Sequence, residues 1–278
     1  MGIVWHDGVF LDEEDFRVSP KDRGLCHGLS LFETILAVNG RPRLLGEHLK
    51  RLNYGLDRLG VRSVEVSVGG LDVAMTSLLK HNELSSGLAR IRFTVSLGDG
   101  ALNEIDSGAA WAWMTASRVG SMGGAVKMTV APWKRDTQSV LRGLKIGSYA
   151  EHLIATDLAR REGFDEILFY NSSGELCEAA MANIFLIKGK QILTPSLDSG
   201  CLPGVTRAEV IRISKVLGIT CVEKPLSPKD VAKVDGMFLT SSIKGPVWVA
   251  AFDGKFFEQH DFFQRIREEW QDVMTGDI

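Results

Sequence analysis

Apolar positions follow two different spacings along this chain. Leu45, Leu49, Leu52, Leu56 and Leu59 recur at steps of three and four, which puts them on one face of a helix, and Gly60 supplies the stop. Residues 71–80 give a second helix. Residues 1–10 read as strand, turn and strand, with Asp7-Gly8 at the turn, and residues 31–38 as a strand closed by Asn39-Gly40. Further strands are expected at 90–97 and 110–116. A glycine-rich, apolar-poor stretch around 118–124 then reads as a linker. Beyond it the pattern predicts a strand at 126–131, a helix at 149–161 and a strand at 166–170. A turn at 171–174 leads to strands at 184–187 and 192–194. A helix at 206–217 ends at Gly218, and Ser227 with Asp230 forms a capping box for a short helix. Strands at 237–240 and 247–252 precede a last helix at 261–274. Helices and strands mix without regular strand-helix-strand alternation, so the fold class expected is α+β. The boundaries are a smaller N-terminal domain at 1–118, a linker at 119–124 and a larger domain at 125–278.

Composition narrows the function classes. The chain has 278 residues, 45% of them hydrophobic and 24% charged, with net charge −3. That is the profile of a globular protein, and it gives no reason to expect nucleic acid as a partner. The four cysteines show no CxxC spacing and the six histidines form no metal motif, so free thiols, no metal and a reducing, cytoplasmic setting are expected. The opening residues lack the basic and long apolar regions of a signal peptide, and no apolar run is long enough to span a membrane.

Several segments could carry chemistry. Gly204 precedes a helix opening at Val205-Thr206, and such a terminus suits a phosphate; local sequence alone favours an ordinary helix start capped by Thr206. Thr240-Ser241-Ser242 at a strand end offers hydroxyl donors, or simply a polar exit. Lys145 stands between Leu144 and Ile146, where its charged form is disfavoured and it can act as an amine nucleophile; the alternative is a lysine reaching out from a strand edge. Glu178 lies in a small, apolar segment and is either paired or an exposed turn residue. No dinucleotide, P-loop or nucleophile-elbow motif occurs.

Taken in order, Lys145, then Glu178 in the run CEAAMANIF, then LPGVTR at 202–207 and LTSS at 239–242 resemble the class-IV, or fold-type IV, pyridoxal-phosphate enzymes. That family includes branched-chain and D-amino-acid aminotransferases and aminodeoxychorismate lyases. Asp22-Arg23-Gly24-Leu25 with Gly28 and Phe32-Glu33-Thr34 is similar to its opening motif, and 47–52 to its arginine-bearing helix. The resemblance implies a two-domain α+β fold, with a smaller N-terminal α/β domain and a larger, pyridoxal-phosphate-binding domain around a mixed β barrel-like core. It also implies a cofactor at the domain boundary and a homodimer. It makes Lys145 the internal-aldimine lysine and proton shuttle, and Glu178 the partner of the pyridine nitrogen. Arg51, Val205, Thr206, Ser241 and Ser242 would hold the phosphate, and Tyr149 would lie near the cofactor's phenolic oxygen. Asn183 would shape the strand entrance. Arg51 falls away from the leucine stripe, on a face that would otherwise be solvated.

Departures bear on substrate. Ser148 stands where many members have Asn, and Cys26-His27 replaces a polar-aromatic pair, which makes His27 either a substrate-pocket residue or a packed histidine beside Gly28. Leu97, Leu102 and Glu104 occupy positions where D-amino-acid aminotransferases carry a carboxylate trap. Arg92 resembles the arginine near the substrate carboxylate of branched-chain enzymes, or is a strand-edge charge. Lys244 follows Ser241-Ser242 where an acid is common. The activity implied is transfer of an amino group between an amino acid, branched-chain members included, and a 2-oxo acid. The alternatives are an aminodeoxychorismate lyase giving 4-aminobenzoate and pyruvate, and a catalytically silent binding protein.

Overall fold

The structure, a computed structural model, describes residues 2–62, 67–120 and 123–276. Ser121 and Met122, inside the expected linker, lie outside the described residues. The chain forms two compact units. One is Met1–Ser121 with Leu144–Tyr149, and the other is Met122–Gly143 with Ala150–Ile278.

The first unit contains β1 (Ile3–His6), β2 (Val9–Asp12), α1 (Arg23–His27), β3 (Ser30–Val38), β4 (Arg41–Pro42), α2 (Leu45–Leu59), α3 (Val68–His81), β5 (Leu88–Ser96) and β6 (Trp111–Arg118). Its sheet runs β2-β1-β6-β5-β3-β4, with antiparallel neighbours throughout. Two tight turns bring both central residues to positive φ, at Asp7-Gly8 (43° and 95°) and Asn39-Gly40 (49° and 76°), the twist that hairpins favour. Cross-strand register sorts the two faces of the sheet. Leu31, Glu33 and Ile35 pair with Val95, Phe93 and Ile91, whereas Phe32 and Thr34 pair with Thr94 and Arg92 on the opposite face. Helix α2 packs on β3 and buries Leu45, Leu49, Leu52 and Leu56; Leu59, nearer the helix end, is only half-buried.

The second unit contains β7 (Val126–Val130), α4 (Ala150–Arg161), β8 (Glu166–Tyr170), β9 (Leu176–Ala179), β10 (Asn183–Lys188), β11 (Gln191–Pro195), α5 (Val205–Val216), β12 (Thr220–Lys224), α6 (Pro228–Val231), β13 (Gly236–Ser241), β14 (Gly245–Phe252), β15 (Lys255–Phe256) and α7 (Asp261–Thr275). The strands run β12-β11-β10-β13-β14-β7-β8-β9, with β15 on β14. Pairs β11/β12, β14/β7 and β7/β8 are parallel, so the sheet is mixed. Strand β9 also lies against β10 and β11, which curls the sheet back on itself. Strands β10 and β13 are buried along nearly their whole length, as strands covered on both faces are. Phe185 and Phe238 stack at 4.9 Å across them, and Phe263 of α7 closes on Phe238. The capping box of α6 is present. No helix among the described residues is long and apolar enough to cross a membrane.

Strands β9 and β12 and helix α1 add to the expected elements, and Tyr149 precedes α4 instead of opening it. Strand β8 begins on a buried acid. Burial pushes the Glu166 carboxyl up to about 7, against backbone N–H groups of Ile167, Met181 and Ala180 and the charge of Lys244. A carboxyl raised from 4.5 in this way favours the fold fully below about 4.5, and that contribution is lost as pH rises through about 7. Glu166→Gln should therefore flatten the loss of stability between pH 5 and 8, a difference on the order of 2 kcal/mol by urea melts. An unchanged slope would contradict this.

Candidate active site

In the first unit, Leu144–Tyr149 lies along the edge of β3. The Phe32 N–H donates to the Lys145 carbonyl at 2.9 Å, and the Gly147 N–H to the Ser30 carbonyl at 2.6 Å. Ile146 sits opposite Leu31, so alternation turns Lys145 to the Phe32 face. The Lys145 Nζ is 4.3 Å from the Phe32 ring centre and 5.7 Å from that of Tyr149, whose ring meets Phe32 edge-on at 5.4 Å. Arg92 covers the same Phe32 ring, its guanidinium carbon 3.9 Å from the centre. Burial, and then the charge of Arg90, hold the Arg92 guanidinium below its usual range, while Tyr149 acts in the opposite sense. No carboxylate among the described residues pairs with Arg92. One aromatic ring thus collects an amine, a phenol and a guanidinium. A cation on an aromatic face is stabilised without being neutralised.

Arg51 is not on a solvated face. Its side chain is 7% exposed, and it grips the fully buried Glu33 through Nε at 2.8 Å and Nη2 at 2.5 Å. His48, one turn away on α2, places Nδ1 2.7 Å from the same carboxylate. Burial alone would raise the Glu33 carboxyl, but Arg51 and His48 outweigh it and hold it at about 2. Burial keeps His48 below its usual range, against the pull of Glu33, so a neutral imidazole donates to the carboxylate. Lys145 also repels a proton from His48, which places the amine near this triad. Glu33 and His48 fall inside motifs that the sequence shows, but sequence reasoning gave neither of them a role. A lone acid within the apolar run of β3 was the available signal.

His27 ends α1 and is exposed, so the packed reading beside Gly28 does not hold. Gly28 takes φ 67°, and a Cβ there would strike Ser148. Arg23 on the same helix is 3% exposed and acts as a clamp. Its guanidinium donates to the carbonyls of Gly98 (3.0 Å), Leu97 (2.6 Å) and Glu104 and to Ser107 Oγ (2.9 Å), fixing the 98–108 loop. Arg23→Leu should leave several buried carbonyls unpaired, lower stability by about 3 kcal/mol and speed amide exchange across 98–108. Exchange unchanged in that loop would contradict the clamp.

In the second unit Glu178 is no exposed turn residue. It is 6% exposed on β9, with Oε2 accepting from the Leu202 N–H at 2.9 Å and Oε1 3.5 Å from Arg135. Asn183 donates from Nδ2 to the Leu202 carbonyl at 2.8 Å, which fixes the approach to α5. That helix has Gly204 as its N-cap and no side-chain cap, so Thr206 does not cap it. A Cβ on Gly204 would collide with Asn183 Oδ1. Thr206 Oγ1 and Thr240 Oγ1 are both buried without a hydrogen-bond partner. Ser241 and Ser242, half-buried, follow Thr240 at the end of β13, which α5 packs against. An uncapped helix start with unspent hydroxyls and a glycine that no other residue could replace fits a phosphate group.

Similarity to known proteins decides the family. The model for amino-transferase class IV matches residues 30–252. The chain belongs to the class IV aminotransferases. It is 27% identical over 98% of its length, and 96% of the relative's, to a putative branched-chain-amino-acid aminotransferase of Methanocaldococcus jannaschii. It is 29% identical to the aminodeoxychorismate lyase of Bacillus subtilis, covering 87% of this chain and 83% of that one. Among solved structures, the branched-chain aminotransferase of Thermoproteus uzoniensis superposes with a TM-score of 0.91 at 26% identity, covering 98% of this chain and 95% of that one. This class IV enzyme therefore has the α+β fold of that family. Lys145, Tyr149, Arg92, Arg51 and His27 lie in its first unit, and Glu178, Val205, Thr206, Ser241 and Ser242 in its second.

Proposed function

We propose that this class IV enzyme is a pyridoxal-phosphate-dependent aminotransferase acting between an amino acid and a 2-oxo acid, with Lys145 as the cofactor-bearing lysine. The observation that carries the reading is Lys145 and Arg92 on one Phe32 ring: an amine, together with a guanidinium that pairs with no carboxylate among the described residues, suits a substrate bearing both an amine and a carboxylate. Bound pyridoxal phosphate would supply an electron sink for the carbanion left when the substrate Cα loses its proton. The Lys145 Nζ would take that proton from the substrate Cα and hold it for return. Glu178 would be the anionic partner of the pyridine nitrogen. The residues that would hold the phosphate are Val205 and Thr206 through their N–H groups at the uncapped start of α5, Ser241 and Ser242 through their hydroxyls, and Arg51, pre-oriented by Glu33. Tyr149 would serve the phenolic oxygen and Arg92 the substrate carboxylate. His27 is included as a substrate-facing side chain, because its neighbour Gly28 abuts Ser148, three residues from Lys145. A homodimer working in the cytoplasm completes the proposal, and the four free thiols agree with a reducing setting.

The Bacillus subtilis relative favours a second reading, aminodeoxychorismate lyase. Both chemistries begin with removal of the Cα proton, so Lys145 and Glu178 serve either. A panel of D- and L-amino donors, followed by loss of the cofactor's absorbance band, separates them. The proposal expects L-amino donors to discharge the band and 2-oxo acids to restore it. Pyruvate release from aminodeoxychorismate with no amino acceptor, and no response to amino donors, would replace it with the lyase.

A further inference from the structure

Arg135 belongs to none of the motifs that identify the family, yet its guanidinium is fixed on several sides in the second unit. Its Nε lies 3.4 Å from Glu151 Oε2 and its Nη1 2.6 Å from His152 Nε2. The same Nη1 is 3.5 Å from Glu178 Oε1, and the guanidinium carbon stands 5.6 Å from the Phe169 ring centre. Arginine can only donate, so His152 accepts through Nε2 and its imidazole is neutral. The other Glu178 oxygen takes the Leu202 N–H. One oxygen of Glu178 therefore accepts a backbone hydrogen bond, and the other lies within ion-pair distance of a guanidinium.

We propose that Arg135 is a positioning residue that holds Glu178 as the anion, so that a proton shared by Glu178 and the cofactor's ring nitrogen rests on the nitrogen. This rests on the cofactor reading above. A proton can sit on either member of such a pair. On the nitrogen, it leaves Glu178 negative, the form that a guanidinium in direct contact stabilises. Arg135 is divided between two carboxylates, Glu178 and Glu151, so Glu151 tempers how strongly it acts on Glu178. That gives opposite signs for two substitutions. Arg135→Gln removes the charge and should make Glu178 take up a proton more readily. Glu151→Gln leaves the guanidinium to Glu178 alone and should make it take up a proton less readily. A role confined to packing would not produce opposite shifts.

The test uses two nuclear magnetic resonance readouts. In cofactor-free protein, the Glu178 carboxyl carbon is titrated, with its signal assigned through Glu178→Gln. In protein loaded with nitrogen-15-labelled pyridoxal phosphate, the ring-nitrogen signal reports where the proton sits. Arg135→Gln should raise the proton affinity of Glu178 about tenfold or more, and move the ring-nitrogen signal toward the unprotonated position. Arg135→Lys should restore most of both shifts, and Glu151→Gln should shift the Glu178 titration the other way. A Glu178 titration unchanged in Arg135→Gln overturns the proposal, as does an unmoved ring-nitrogen signal in loaded Arg135→Gln. Should Arg135→Gln fail to fold, an absent or same-signed shift in Glu151→Gln overturns it equally. Wild-type protein that takes up no pyridoxal phosphate would sink the cofactor reading and the proposal with it, whereas a loaded wild type with unshifted variants sinks the proposal alone.

Discussion

Glu33→Ala is expected to destabilise the protein by about 3–5 kcal/mol, among the largest losses a single substitution here can cause, because it leaves Arg51 and His48 buried without their shared acceptor. The wild-type arrangement makes a further demand on pH. Its carboxyl is held at about 2 against an ordinary 4.5, so its contribution is present above 4.5 and lost as pH falls through about 2. His48, held below 6.5, adds a loss that begins as pH falls below 6.5, since the unfolded chain then binds a proton that the fold refuses. Acid denaturation followed by circular dichroism should therefore be shallower in Glu33→Ala between pH 4.5 and 2. The double replacement Glu33→Leu with Arg51→Met separates folding from binding. Replacing the buried ion pair as a whole leaves no unpaired guanidinium and strands only the His48 N–H, so the double variant should lose less stability than Glu33→Ala. Pyridoxal-phosphate affinity should nevertheless fall, because the guanidinium fork is gone. Full affinity in the double variant would remove Arg51 from the phosphate site.

Lys145→Ala is expected to lower the turnover rate by about a thousandfold or more while leaving stability within about 1 kcal/mol of wild type. The side chain is half-buried and rests on Phe32 without closing the core, so its loss opens no large cavity. The groups proposed to hold the phosphate stay in place, so on that reading the variant should still take up the cofactor, now without a covalent link. Steady-state rates and thermal melts measured together check this. A variant that retains wild-type turnover would show that another residue moves the proton. A variant that melts many degrees lower would show that the lysine's role is structural.

Much of this arrangement was legible wherever the physics is local. The leucine stripe of α2, the two hairpin turns and the capping box of α6 all depend on residues within a few positions of one another, and all formed as the sequence implied. Strand β9 was hidden for the opposite reason. It is four residues long and carries an acid in an apolar setting, and the groups that make Glu178 tolerable there, Arg135 and the Leu202 N–H, lie 43 positions before and 24 after it. The same holds for Arg51: a helical wheel places it off the leucine face, but only the pairing of β3 with α2 reveals that Glu33 is waiting there. Thr206 read as a cap because its neighbours look like an ordinary helix start. The uncapped terminus and the orphaned hydroxyls are visible only once β13 is folded beneath α5.

The central claim, that Lys145 carries the cofactor, is tested most directly by reducing the loaded protein with borohydride and mapping the modified peptide by mass spectrometry. The account predicts a single phosphopyridoxyl-labelled peptide, with the label on Lys145. A label on any other lysine, or none on a protein that binds pyridoxal phosphate, would contradict it.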